Sequence, residues 1–209
     1  MSPKEIHSDE ELLALAAAGE LAAFEALYER RQGGIYRFAL RMSGSESIAE
    51  DVTHDVFIAL MKDAAQFDPA RGTVASYLYG MARNRVLRLL ERDRQFVSMV
   101  EQAGGEDDEP IHDRLVVRED PLAELTRNEL VEAVRQGILA LPIHYREVII
   151  LCSLQEMSYA QAAEVLGCAV GTVRSRLYRA RELLVRKLES VADPGQAPRV
   201  SACGDGYGM

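Results

Sequence analysis

The sequence predicts an all-α fold: two small helical domains joined by an acidic linker, the second a helix-turn-helix. Three observations predict it. Apolar residues recur at helical spacing nearly everywhere, caps and breakers fall at the ends of those stripes, and no alternating apolar run is bounded by hairpin turns.

The elements follow in order. Ser8 with Glu11 has the spacing of a capping box and opens the first helix. Gly33 and Gly34 read as a break. Ile35, Phe38, Ala39 and Met42 then fall at i, i+3, i+4, i+7 and place one apolar face on a helix that Ser43 and Gly44 end. Ser47 with Glu50 reads as a second capping box, and Ile48, Val52, Val56 and Leu60 continue from it every four residues. Asp68, Pro69 and Gly72 break the chain before the stripe Val74, Tyr77, Leu78 and Met81. Gly104 and Gly105 open an acidic run that continues to Pro110. Beyond it Leu130, Val134, Ile138 and Leu141 form a stripe stopped by Pro142. Ser158 with Gln161 makes a third capping box, and Val173, Leu177, Ala180 and Leu184 make the last stripe. This gives four or five helices before residue 96 and four after residue 120. The domain reading is 1–95, a flexible acidic linker over 96–125, 126–190, and a Gly/Pro-rich tail over 191–209 that has too little to bury to be ordered.

With 209 residues, 48% hydrophobic and 27% charged, the chain can bury the cores of one or two domains. No run approaches the ~18 apolar residues a membrane-spanning helix needs. The N-terminus is polar and acidic, unlike a secretory signal. Three widely separated cysteines, Cys152, Cys168 and Cys203, fit a reducing cytoplasm better than a disulfide framework. The net charge of −9 argues against nucleic acid only until it is divided along the chain. Residues 1–95 carry −3, residues 96–125 carry −7, residues 126–192 carry +2 and the tail carries −1. Screening confines each field to about 10 Å, so local charge decides what a surface attracts.

The most informative segment is 158–187, SYAQAAEVLGCAVGTVRSRLYRARELLVRK. A helix from the Ser158 cap ends at Gly167, which can take positive φ, and a second begins near Val170. Ala163 is small enough for the two helices to approach, and Val173 packs the second on the first. One flank of the second helix carries Thr172, Ser175, Arg176 and Arg179; the other carries Arg174 and Arg181. From Thr172 to Lys187 there are six basic residues and one acidic. A helix in a major groove needs this layout, with hydroxyls and guanidinium groups toward base edges and more cations toward the phosphates. The bland alternative is an Arg-rich solvated face on a helical hairpin; the coincidence of cap, turn glycine, small residue and one-sided arginines favours DNA binding.

These residues are familiar. The stretch ALPIHYREVIILCSLQEMSYAQAAEVLGCAVGTVRSRLYRARELL resembles the −35-binding domain of bacterial RNA polymerase sigma factors of the extracytoplasmic-function group, most specifically in GTVRSRLYRAR. In the first block AEDVTHDVFIAL resembles the polymerase-binding helix of that family, and FDPARGTVASYLYGMARNRV resembles its −10-reading segment. The resemblance spans most of residues 9–188 and leaves out the linker and the tail. It implies a protein that binds core RNA polymerase, directs it to promoter DNA by reading −35 and −10 elements, and helps melt the −10 region. It also implies no cofactor and no chemistry of its own. An anti-sigma factor is a further partner it makes plausible.

The first block has its own signals. Asp51 and Asp55 lie one turn apart on one helix. Alone, they read as a solvated acidic face; the resemblance makes them, with His54 and Phe57, a contact surface for the polymerase. His54 and Met61 depart from the family's usual Gln and aromatic residue. Downstream lie Arg83, Arg85, Arg88, Arg92 and Arg94, with Tyr77 and Tyr79 just before them. Cations beside aromatics suit single-stranded DNA, where bases stack and phosphates need neutralising. Tyr77 belongs to a core stripe, which leaves Tyr79 with Arg83 and Arg88 as the DNA candidates. By resemblance the base-capturing loop lies near 66–72 and the supporting helix near Arg83 and Asn84. Arg88 replaces a residue that is often acidic in the family.

Other chemistry finds no support. His7, His54, His112 and His144 have no partners at ligand spacing, and neither Cys152 nor Cys168 belongs to a CxxC, so no metal is expected. No phosphate-binding loop, nucleophile elbow or HExxH motif occurs. The competing reading is a stand-alone helix-turn-helix regulator whose first block senses a ligand or dimerises.

Overall fold

The computed structural model describes residues 7–103 and 127–192, with side chains over 7–92 and 129–189. Helices α1 (Asp9–Ala17), α2 (Leu21–Ser43), α3 (Glu46–Asp63) and α4 (Val74–Ala103) form the first domain. Helices α5 (Arg127–Leu139), α6 (Ile143–Ile149), α7 (Tyr159–Leu166) and α8 (Val170–Ala192) form the second. Two 3₁₀ turns, Ala64–Gln66 and Pro69–Arg71, bridge α3 and α4, and a π turn, Ile150–Leu154, extends α6. The described residues contain no strand. Of the expected linker, residues 96–103 instead continue α4 and 104–125 lie outside the described residues; so do His112, Cys203 and the expected tail beyond Ala192, where α8 ends.

Most stripe positions are buried or half-buried, but Leu130, at the start of its stripe, is 51% exposed. Leu27, Ile35, Phe38, Ala39 and Met42 of α2 meet Val52, Val56 and Leu60 of α3 and Val74, Leu78 and Val86 of α4. Burying each large apolar side chain is worth about 1.5–3 kcal/mol. Asp9, almost fully buried, ties α1 to α2 through Arg30 (2.8 Å) and Arg31. In the second domain Ile138, Leu141, Val148, Ile150, Leu151, Ala162, Val173, Leu177 and Ala180 close the core.

Two local expectations are corrected. Gly33 and Gly34 do not break the chain; α2 runs through them. A Cβ on Gly34 would sit 2.7 Å from the Tyr79 hydroxyl, so this glycine lets α4 approach α2. The cap of α3 is Ser45, not Ser47. Gly44 closes α2 at φ 75°, and Ser45 follows in extended backbone with its Oγ accepting from the Ile48 amide at 3.4 Å. Ser47 is already inside the helix. The capping boxes at Ser8 and Ser158 are both formed.

The helix-turn-helix is built as its residues require. Gly167 takes φ 62°, ψ 38°, and the Cys168 amide returns to the Ala163 carbonyl at 3.1 Å. No atom lies within 4 Å of a Cβ at Gly167, so Gly167→Ala costs backbone strain alone. We expect it to lower unfolding free energy by about 1–2 kcal/mol in urea titration, with the helical spectrum retained.

The two domains pack together. Arg146 of α6 donates to the Met42 carbonyl at the end of α2 (2.6 Å) and to the Leu139 and Leu141 carbonyls at the end of α5. The Tyr79 hydroxyl of α4 donates to Gln155 Oε1 at 2.8 Å, and Arg83 pairs with Glu147 at 2.6 Å.

Candidate nucleic-acid interface

Helix α8 buries Val173, Leu177 and Ala180, packs Leu183 and Leu184 against the core and turns most of its polar residues outward. Arg174, Ser175, Arg179 and Arg181 are exposed; Thr172 and Arg176 are half-buried along one edge. Each is held lightly. Arg174 stands over the Tyr159 ring at 5.8 Å, Ser175 donates back to the Thr172 carbonyl, and Arg179 pairs with Glu182 at 2.9 Å. Hydrogen bonding to Glu182 raises the Arg179 guanidinium above its usual range. Arg181 reaches Ser153 Oγ at 3.4 Å, across to the π turn. Exposed contacts of this kind are worth tenths of a kcal/mol to about 1 kcal/mol, so a phosphate or base edge can replace them. Sequence reasoning missed Tyr178. It is 68% exposed and lies with Ser175 on the side of α8 opposite the buried stripe. An aromatic at a polar position of the pattern was the available signal.

A cavity of about 390 Å³ opens between the 3₁₀ turns and α4. Gln66, Phe67, Arg71, Thr73, Tyr77 and Asn84 line it, with Glu164 and Val165 of α7 across the mouth. Phe67 and Tyr77 stand 5.6 Å apart, an aromatic pair flanked by hydrogen-bonding groups. This combination suits one unstacked base. The predicted set is redistributed around it. Asn84 lines the cavity, and Arg88 is exposed, bonded to the Asn84 carbonyl at 3.2 Å. Arg83 is instead held by Glu147. Tyr79 is corrected outright. It is 7% exposed, stacks edge-on Phe38 at 5.5 Å and bonds Gln155, and burial pushes its phenol pKa up. Tyr77, assigned to the core, is the tyrosine that faces the cavity.

On α3, Asp51, His54 and Asp55 are exposed. Asp51 and His54 border an open groove of about 590 Å³ shared with Tyr28, Tyr36 and Arg37 of α2. Asp55 pairs with Arg85 at 2.6 Å. Phe57 is not part of this surface. It is 3% exposed, packed edge-on against Tyr28 at 4.7 Å and Phe24 at 6.4 Å. The stripe Thr53, Val56, Phe57, Leu60 carries that signal in the sequence, and all four are buried.

The described residues hold no group of three or more His, Cys, Asp or Glu side chains placed to bind a metal ion, and no helix among them is long and apolar enough to cross a membrane. Burial raises the Cys152 thiol pKa, against the opposing effect of Arg181.

A helix-turn-helix with a cationic outer face, joined to a helical domain with a base-sized pocket, defines a DNA-reading transcription protein. Comparison with known proteins makes the class specific. The sigma-70 region 2 family matches residues 27–96 and the sigma-70 region 4 family matches residues 132–184. The chain is 32% identical over 183 residues to the ECF RNA polymerase sigma factor SigM of Mycobacterium tuberculosis, covering 87% of this chain and 85% of that one. It is 29% identical over 177 residues to SigW of Bacillus subtilis, covering 83% and 92%. It is 32% identical over 173 residues to SigE of Mycolicibacterium smegmatis, spanning 80% of this chain and 63% of that longer protein. Among solved structures, CnrH in complex with the cytosolic domain of CnrY matches with a TM-score of 0.65 and 26% identity, covering 87% of this chain and 97% of that one. The sigma factor RpoE of Bartonella quintana, solved with the anti-sigma factor NepR, matches in fold with a TM-score of 0.60 and 23% identity, covering 79% and 96%. The chain belongs to the extracytoplasmic-function sigma factors of the sigma-70 family. Members bind core RNA polymerase and direct it to promoters.

Proposed function

We propose a division of labour within this sigma factor. The outer face of α3, with Asp51, His54 and Asp55, receives core polymerase. The cavity beside Tyr77 and Asn84 captures a base of the −10 element, with Arg88 near the phosphates. The face of α8, through Thr172, Arg174, Ser175, Arg176, Arg179 and Arg181, reads the −35 element. The domains 1–95 and 126–190 divide these tasks, and the chain makes and breaks no covalent bonds itself. It works in the cytoplasm, where the template is, and an anti-sigma protein is a partner consistent with the complex in which RpoE, a chain of similar fold, was solved. The observation that carries the reading is the one-sided cationic face of α8 behind the Gly167 turn. A regulator acting alone would bind its operator unaided.

Size-exclusion chromatography with purified core polymerase tests this reading. The chain should co-elute with the core at micromolar concentration and bind duplex DNA poorly without it, since residues 96–125 carry −7 and compete with DNA for the cationic helix. Tight, salt-sensitive DNA binding by the free chain without co-elution would favour the regulator.

A further inference from the structure

We propose that Glu10 of α1 is a positioning residue for −10 recognition: its carboxylate holds the Val74 amide and so fixes the start of α4, the helix that carries Tyr77 and Asn84 into the base pocket. The consequence for DNA rests on the pocket's assignment above; the hold on α4 does not.

Helix α1 precedes residue 27, where the sigma-70 region 2 match begins, and its 9 residues are too few for a helix that stands alone. Contacts set its place. Leu12 and Leu13 are buried, and so is Asp9, which accepts from Arg30 through one carboxylate oxygen and from Arg31 through the other. Anchored on α2 in this way, α1 also packs against the Ala64–Gln66 turn and α4.

Glu10 then reaches across 64 positions of sequence, and its Oε1 accepts from the Val74 amide at 3.3 Å. Val74 opens α4 and is fully buried, so this amide cannot turn to water instead. The first amides of a helix have no carbonyl partner within it, and a buried one left unpaired is costly. Thr73 serves the next ones locally: its Oγ1 accepts from the Ser76 amide at 3.1 Å and its carbonyl from the Tyr77 amide at 3.0 Å. The Val74 amide has the Glu10 carboxylate, whose charge also suits the positive end of the helix dipole.

Thr73 and Tyr77, on either side of Val74, both line the pocket. Without the Glu10 acceptor the first turn of α4 must shift or fray until the amide meets water, and that wall of the pocket moves with it. Glu10 itself touches no base. It acts through the placement of Tyr77 and Asn84.

Hydrogen exchange on the full chain and run-off transcription with core polymerase test this together. Glu10→Ala should speed exchange about fivefold in peptides covering 66–78, with α3 and the second domain unchanged. It should also lower discrimination among the four bases at −10 positions about fivefold, with discrimination at −35 positions and co-elution with the core unchanged. Glu10→Gln keeps an acceptor at the same reach and should return both readings to within about twofold of the unsubstituted chain. Unchanged exchange at 66–78 would overturn the proposal, as would an equal loss of discrimination at −35 and −10, or Glu10→Gln behaving like Glu10→Ala. Glu10 is exposed, so its substitution empties no core. Should Glu10→Ala nevertheless lose its helical spectrum, Glu10→Asp, one methylene short of the amide, gives the same reading. Tyr77→Ala separates the role of Glu10 from that of the pocket. If exchange is faster and −10 discrimination unchanged, a loss of discrimination in Tyr77→Ala overturns the positioning role. If Tyr77→Ala also leaves discrimination unchanged, the pocket's assignment fails and the hold of Glu10 on α4 stands.

Discussion

Replacing Arg176 and Arg179 together by alanine is expected to cut promoter-directed transcript yield about 100-fold while leaving association with core polymerase unchanged. A guanidinium bonded in two places to a base edge discriminates by about 1–3 kcal/mol, and two such losses add when each reads its own base. Arg176 lies along the edge of α8 and Arg179 toward its outer face, so neither substitution touches the core formed by Val173, Leu177 and Ala180. Arg179 must first leave Glu182, a weak i, i+3 surface pair that solvent screens. Run-off transcription from one promoter, with polymerase association measured in parallel, checks the result. Undiminished yield would remove α8 from the account of −35 reading.

Asp51→Arg with Asp55→Arg is expected to weaken binding to core polymerase at least 100-fold. If the partner surface is basic, reversal replaces attraction by like-charge juxtaposition, a difference of several kcal/mol. Both side chains are exposed, and the pair Asp55 makes with Arg85 is a surface pair worth about 0–1 kcal/mol, so the fold survives. Normal circular dichroism with normal co-elution would mean that the polymerase docks elsewhere.

How legible these sites were depended on the range of the interaction that fixes them. The α8 face was readable because the Ser158 cap, the Gly167 turn and the helical repeat act within a few residues of each other. The exposure of Asp51 and His54 was readable from the α3 repeat, but their contact role came only from the resemblance. Phe57 was misassigned although Thr53, Val56 and Leu60 already marked its stripe. Gly34 and Tyr79 were not readable. Gly34 leaves room for the hydroxyl of a tyrosine 45 positions later, and that hydroxyl bonds Gln155 of the second domain. The shift of the α3 cap from Ser47 to Ser45 followed from where Gly44 releases α2, a choice among neighbouring serines that spacing alone does not decide. The domain packing draws on Arg83 with Glu147, Tyr79 with Gln155 and Arg146 with the Met42 carbonyl, polar contacts that carry no periodic signal.

Transcription start-site mapping in a purified system tests the central claim most directly. Core polymerase supplied with this chain should start transcripts at a defined set of sites that core alone does not use. Those starts should share bases near −35 and −10, and Arg176→Ala should relax preference only at −35 positions. Starts with no shared upstream bases, or the same starts from core alone, would contradict the account.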